Sequence, residues 1–237
     1  MKITKLLFCI VALIIMSCNN GNEKSKIQQL EDKLEEQSNQ IQEIQEQSLL
    51  DQLVRQENDD LKSTSFKILN VSKYNPDRLQ YQGKVIYEKS WQDFNGENIV
   101  LFTTNKEELF VYHYAVKNKN VRRLRKVYDF EKNCDADLLI KFIERSIVIS
   151  DSDQDNYGEI TFAYKKGCRS DVSPLTLKLL TLENGEKYII RGSTLIDFGG
   201  GAPYGGEKNI DPSFYNAPKS FLRSANIIWR EIVKERF

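Results

Sequence analysis

The chemistry-bearing residues of this chain gather in one stretch, Asp151-Ser-Asp153-Gln-Asp155-Asn156-Tyr157-Gly158-Glu159. Carboxylates at every second position of a tight loop can turn inward around one hard cation. Without a cation, the same packing holds like charges within several Å of one another, which is unfavourable. A calcium loop takes acids at positions 1, 3 and 5, a backbone carbonyl at 7 and an acid at 9. On that spacing Asp151, Asp153, Asp155, the Tyr157 carbonyl and Glu159 are the expected ligands of one structural calcium ion. Extracellular calcium modules bind at about 0.1–1 mM, so modest affinity belongs to the expectation. The same residues also allow a solvated acidic turn without metal.

The flanks must position this loop. Ile147-Val-Ile149 and Ile160-Thr-Phe-Ala-Tyr164 alternate with period two and read as strands, not as the helices of an EF-hand. Position 6 is Asn156, the residue after Gly that best tolerates φ > 0. Position 12 is Phe162 where an EF-hand carries a bidentate Glu. The loop therefore resembles the strand–loop–strand acidic turns of integrin-type propeller repeats. It occurs here in a single copy, so no propeller follows.

The surrounding residues, 64–237, predict an α+β domain that is mostly an antiparallel β-meander. Residues 66–71 read as a short strand. Residues 83–91 and 98–104 flank Asn95-Gly96, and 175–182 and 187–191 flank Asn184-Gly185, both hairpin turn signals. Residues 109–116 and 121–130 flank Lys117-Asn-Lys-Asn120 as another hairpin. Residues 135–144 have helical spacing through Leu138, Leu139 and Phe142. Ala217-Pro218 opens a last helix, with Phe221, Ala225, Ile228, Trp229 and Val233 on one stripe to cover a face of the sheet; Pro suits its first turn.

Composition removes several function classes. The chain carries 34 basic and 34 acidic side chains, so no net field attracts nucleic acid. The one histidine, His113, rules out a multi-His zinc site, and GxSxG is absent. Gly199–Gly206 is glycine-rich but lacks the Lys-Ser/Thr and immediate helix of a phosphate loop. Cys134 and Cys168 are an even pair expected to form a disulfide in an exported chain. That bridge would close about 35 residues, contribute ~3–4 kcal/mol, and brace the acidic turn from both sides.

The amino terminus supplies an address. Lys2 and Lys5 precede an apolar stretch, residues 6–16, too short to span a bilayer. It ends in Ile15-Met16-Ser17-Cys18, which resembles the lipobox of bacterial lipoproteins. That resemblance implies removal of residues 1–17 and acylation of Cys18, which would anchor the chain to a membrane. Asn19 in place of Asp implies the outer membrane. Residues 18–25 read as a polar tether. Residues 26–63 read as a helical stalk, with Ile27, Leu30, Leu34, Ile41 and Ile44 on a and d positions of a possible coiled coil. Such a stalk would lift the domain ~50–60 Å from the membrane at ~1.5 Å per residue and offer a route to self-association.

Two further resemblances bear on function. Ile147-Val-Ile-Ser-Asp151-Ser-Asp153 is similar to the strand-then-DxD signature of one glycosyltransferase class. The β-hairpins before it replace the βα half that class implies, and Asp155 and Glu159 go unexplained. Residues 85–233 also look like an exported family labelled surface polysaccharide biosynthesis. The resemblance is carried by Leu109-Phe-Val-Tyr-His-Tyr114, Ile149-Ser-Asp151 through Glu159-Ile-Thr-Phe162, Cys168-Arg-Ser-Asp171-Val-Ser-Pro174 and Asn216-Ala-Pro218. The label implies a role near surface glycan but brings no catalytic residues. The expectation is a lipid-anchored envelope protein with a calcium-stabilised β domain and a non-catalytic binding or assembly role. The alternative is a metal-dependent enzyme that transfers or hydrolyses surface glycan.

Overall fold

The computed structural model describes residues 21–63 and 65–235, and the chain divides into two compact units, Met1–Leu61 and Lys62–Phe237. The signal peptide and Cys18 expected from the sequence lie outside the described residues. In the first unit helix α1 begins at Gly21 and runs to Ser63, taking in residues expected to be tether. Leu30, Leu34, Ile41 and Ile44 stand on it 44–68 % exposed. Among the described residues no helix is long and apolar enough to cross a membrane.

The second unit is mostly antiparallel sheet with a C-terminal helix. Strands β1 (Lys67–Leu69), β2 (Lys84–Asp93), β3 (Gly96–Thr104), β4 (Glu108–Lys117) and β5 (Asn120–Phe130) form one sheet in sequence order. Strands β6 (Asp137–Ser150), β7 (Glu159–Arg169), β8 (Thr176–Glu183) and β9 (Glu186–Ser193) form a second meander. A short ribbon of β10 (Leu195–Ile196) and β11 (Tyr204–Gly205) follows, and β12 (Lys208–Ile210) then pairs with β9 at the sheet edge. The turns explain the hairpins. Asn118 and Lys119 lie at φ 53° and 66°, and Asn184 and Gly185 at 41° and 90°, the paired positive values that match hairpin twist.

The two meanders pack face to face, a layering that the alternation alone does not specify. Trp91, Val100, Phe102, Leu109 and Val111 of the first sheet meet Phe142, Ile160, Phe162, Tyr164, Leu180 and Leu182 of the second. Phe102 sits edge-on to Phe142 and Phe162, each at 5.2 Å. Alternate residues of β3 and β4, namely Ile99, Leu101, Phe110, Tyr112 and Tyr114, point the other way. Leu79, Tyr74 and Tyr81 cover them. Helix α2 (Lys219–Ile232) lays Phe221, Ala225, Trp229 and Ile232 over Ala163, Leu177, Leu179 and Ile190 on the outer face of the second sheet. Burying each large side chain in that layer contributes about 1.5–3 kcal/mol. Pro218 caps this helix from outside its first turn, with ψ 137°.

Residues 135–144 are not helix; from Asp137 onward they are strand. Their pairing with β7 runs from Asp137↔Arg169 to Ile143↔Ala163, and Ile140 and Phe142 turn together into the core between the sheets. The apparent helical spacing came from a half-exposed edge strand, whose solvent side carries apolar residues too; ladder pairing overrides the local pattern. Between Ile143 and Val148 the register slips, and β6 bulges. Buried Ser146 bridges the gap: its Oγ accepts from Ala163 N at 2.7 Å and donates to Ile143 O at 2.5 Å.

Cys134 and Cys168 are joined, with Cα atoms 5.5 Å apart. Cys168 faces Leu138 in the ladder, whereas Ser150 faces Glu159 beside the acidic loop. The nine steps along the strand from Glu159 to Cys168 span roughly 30 Å at ~3.3 Å per residue. The bridge therefore closes the far end of the hairpin and does not brace the loop. Cys168→Ser is expected to lower unfolding stability in urea by about 3 kcal/mol while leaving any calcium-induced stabilisation unchanged.

Candidate metal centre

The acidic loop closes the β6–β7 hairpin, and its backbone is bent where the sequence required it. Asn156 lies at φ 64°, and Gln154 also enters the left-handed region at 65°. Asp155 Oδ1 accepts from Tyr157 N at 2.7 Å, a local turn that faces the neighbouring carboxylates. Glu159 is buried and organises the loop start. Its oxygens accept from Ser150 Oγ at 2.9 Å, Ser152 N at 2.9 and 3.1 Å, and Ser152 Oγ at 3.1 Å.

The loop is fastened to the first sheet. Asp93 Oδ2 accepts from Trp91 Nε1 at 2.8 Å and from Gly158 N at 2.9 Å, while Oδ1 accepts from Asn95 N at 2.7 Å. Phe94 N donates to Asn156 O at 3.1 Å, and the Phe94 ring stands edge-on to Tyr157 at 5.6 Å. A Cβ on Gly158 would fall 2.3 Å from Trp91 Nε1 and 2.8 Å from Phe66 Cε2. Glycine is required there by close approach. Behind this pin lies buried His113, 5.1 Å from Trp91, with Nε2 2.9 Å from Asn98 Oδ1. Burial pushes the imidazole down to about 3, so it is neutral, and the histidine is a core residue.

Carboxylate oxygens of Asp151, Asp153 and Glu159 lie within 4.8 Å of one another, and so do those of Asp153, Asp155 and Glu183. Two oxygens on opposite sides of one calcium ion are separated by about 4.6–5.2 Å, twice the metal–oxygen distance. The two groups share Asp153. Asp151 Oδ1, Asp153 Oδ1 and Glu183 Oε1 are buried and have no hydrogen-bond partner among the described residues. None of the ion pairs among the described residues involves these groups.

Glu183 is the acid that loop spacing did not disclose. It ends β8, directly opposite Glu159 in the ladder, a like-charge cross-strand pair that is destabilising when both are ionised. The available signal was topological. In a meander, alternate turns fall at the same sheet end, so the Asn184-Gly185 turn must lie beside the acidic loop. Burial pushes Glu183 up to about 8, and the charges of Asp155, Asp153, Glu159 and Asp151 add to the rise. Burial and then Asp155 also raise Asp153. The donor set, all oxygen and rich in anions, is of the kind that could hold a hard cation. Three cavities of about 550, 350 and 610 Å³ are lined by other residues. No protein-family model, curated protein or solved structure matches the chain.

The raised carboxyl sets a pH dependence. Between about 4.5 and 8 the folded chain holds a Glu183 proton that the unfolded chain has released, so stability in chelator falls as pH rises through that window. Glu183→Gln should flatten this fall and raise the melting temperature at pH 8 in chelator. Gly158→Ala should cost about 1–3 kcal/mol in denaturant unfolding, because the added methyl must displace Trp91 or the loop.

Proposed function

We propose that the chain is a lipid-anchored protein of the cell envelope whose β domain is stabilised by one calcium ion and serves a non-catalytic binding or assembly role. The observation that carries the calcium assignment is the set of three buried oxygens, Asp151 Oδ1, Asp153 Oδ1 and Glu183 Oε1, without a hydrogen-bond partner among the described residues. Lone pairs removed from water without a partner carry a desolvation penalty of ~1–3 kcal/mol or more each, and a cation bound beside Asp153, which the two carboxylate groups share, would offset it. Glu159 and Asp155 complete the acids, with Asp155 on the exposed side. Glu159 already accepts four hydrogen bonds, so its main part is to hold Ser152 and the loop start in place.

Anchoring rests on the lipobox-like Ile15-Met16-Ser17-Cys18, with Cys18 as the acylated residue and the outer membrane as the destination. The stalk reading rests on α1, whose exposed Leu30, Leu34, Ile41 and Ile44 form the kind of stripe that a partner helix covers. A role beside surface glycan follows from the family resemblance of residues 85–233.

The test is thermal unfolding of the full chain in detergent micelles, in chelator and across a calcium series to several mM, beside Asp153→Ala. Ligand binding to the folded state raises stability by RT ln(1 + [L]/Kd). The expected result is a calcium-dependent rise of several degrees that Asp153→Ala abolishes. A flat series to several mM would overturn the calcium assignment and leave the loop as a solvated turn.

A further inference from the structure

The outer face of the first sheet carries a second chemical feature, at the other end of β4 and β5 from the acidic loop. The loop end is marked by Lys117, whose Nζ donates to Phe94 O at 3.0 Å. The opposite end is marked by the pair Glu108↔Phe130. From that end toward the loop end the outward residues of β5 read Phe130, Tyr128, Lys126 and Arg123, beside Phe110, Tyr112 and Tyr114 of β4. Phe110 stacks on Tyr128 at 5.0 Å and 19°, and Tyr128 neighbours Phe130 at 5.6 Å. The inner rings are buried, whereas Tyr128 and Phe130 are 45 % and 44 % exposed.

Cations line this ridge. Lys126 Nζ lies 5.0, 5.5 and 5.9 Å from the Phe110, Tyr112 and Tyr128 rings, and Lys132 Nζ lies 5.1 Å from Phe130. The acids alongside are already engaged. Glu108 accepts from Tyr128 OH at 2.7 Å and Asn105 Nδ2 at 3.1 Å, with Lys132 at 3.8 Å; Glu131 pairs with Lys166 at 3.3 Å. Lys126 and Arg123 have no ion-pair partner among the described residues. Lys126 donates to the neutral Gln82 Oε1 at 3.2 Å. Its ammonium is held in place by aromatic rings and keeps donor capacity for an anion.

We propose that Tyr128, Phe130, Lys126 and Arg123 form a binding platform for an acidic polysaccharide. Two half-exposed rings are far too small for the core of a protein–protein interface of ~1,000 Å² or more. They match the size of one or two sugar rings, whose apolar C–H faces pack on aromatic surface. Arg123 and Lys126 then receive carboxylates along the chain through charge-assisted hydrogen bonds. A phosphate backbone is tracked by a long basic groove, which one lysine and one arginine beside two carboxylates do not make. The proposal takes from the preceding reading only a non-catalytic binding role and does not depend on calcium.

The test is titration calorimetry of the full chain in micelles, in chelator at pH 6, with an oligoglucuronate, a neutral glucan of equal length, and a single-stranded oligonucleotide of equal charge. The expected result is binding of the oligoglucuronate alone. Binding should weaken at least tenfold in Tyr128→Ser/Phe130→Ser, and Lys126→Gln should flatten the salt dependence. Unfolding of each variant in the same buffer reports folding, and Lys126→Gln keeps both rings should the double variant fail to fold. Equal binding of the glucan or the oligonucleotide, no binding at all, or unchanged binding by both variants would overturn the proposal. So would binding that appears only when calcium is added, which would move the ligand to the acidic loop. A flat calcium melting series with intact oligoglucuronate binding would reject the calcium reading alone.

Discussion

The arrangement at the loop end of the sandwich depends on one buried carboxylate. Asp93 is almost fully buried, and its two oxygens collect donors from an indole, from its own turn at Asn95 and from Gly158 of the other sheet. A buried carboxylate without partners is among the most costly features a fold can contain; one with three donors becomes a rigid joint. Burial raises its pKa while the hydrogen bonds from Gly158, Trp91, Asn95 and Asn98 oppose that rise. Gly158 is held at the loop's end by Asp93, and Glu159 ties back to Ser150 and Ser152 at the loop's start, so the residues from Ser152 to Gly158 are fixed at both ends. Within that constraint Asp151 and Asp153 gather with Glu159, and Asp153 and Asp155 gather with Glu183.

This joint also explains why the acidic cluster survives folding. Glu159 and Glu183 are ladder partners, and three loop aspartates sit beside them. The fold holds them through neutral donors, and none of the ion pairs among the described residues answers their charge. The sheet ladder, the turn at Asn184-Gly185 and the Asp93 joint impose this geometry at a cost that the two hydrophobic layers offset.

Much of this was legible in the sequence, and the gaps have physical causes. The Asn-Gly turns and period-two runs located most strands, because side-chain alternation is a local property. Asn156 at position 6 indicated the left-handed turn. Of the residues read with helical spacing, 135–144, those from 137 onward are strand; the misreading arose because this edge strand carries apolar residues on both faces. The pairing of two sheets face to face was hidden, since β3 and β4 are buried on both faces and their sequences do not say what covers each. Glu183 was missed for a related reason. It lies 24 residues beyond Glu159 in sequence, and only the meander's strand order makes them neighbours. The disulfide pair was readable from cysteine arithmetic, but its position relative to the loop required the ladder register.

The bulge in β6 has a consequence for how the protein behaves in a crowd. β6 is the outermost strand of its sheet, fourteen residues long, and such an open edge is a template onto which another chain can add. The slip between Ile143 and Val148 interrupts that template midway. Exposed Lys141, Glu144 and Arg145 flank the interruption, and Arg145 is drawn sideways to the Glu231 carbonyl at the end of α2, 3.1 Å away. An incoming strand would meet a twisted backbone and charges it must bury. The bulge thus guards this edge strand against fibrous aggregation.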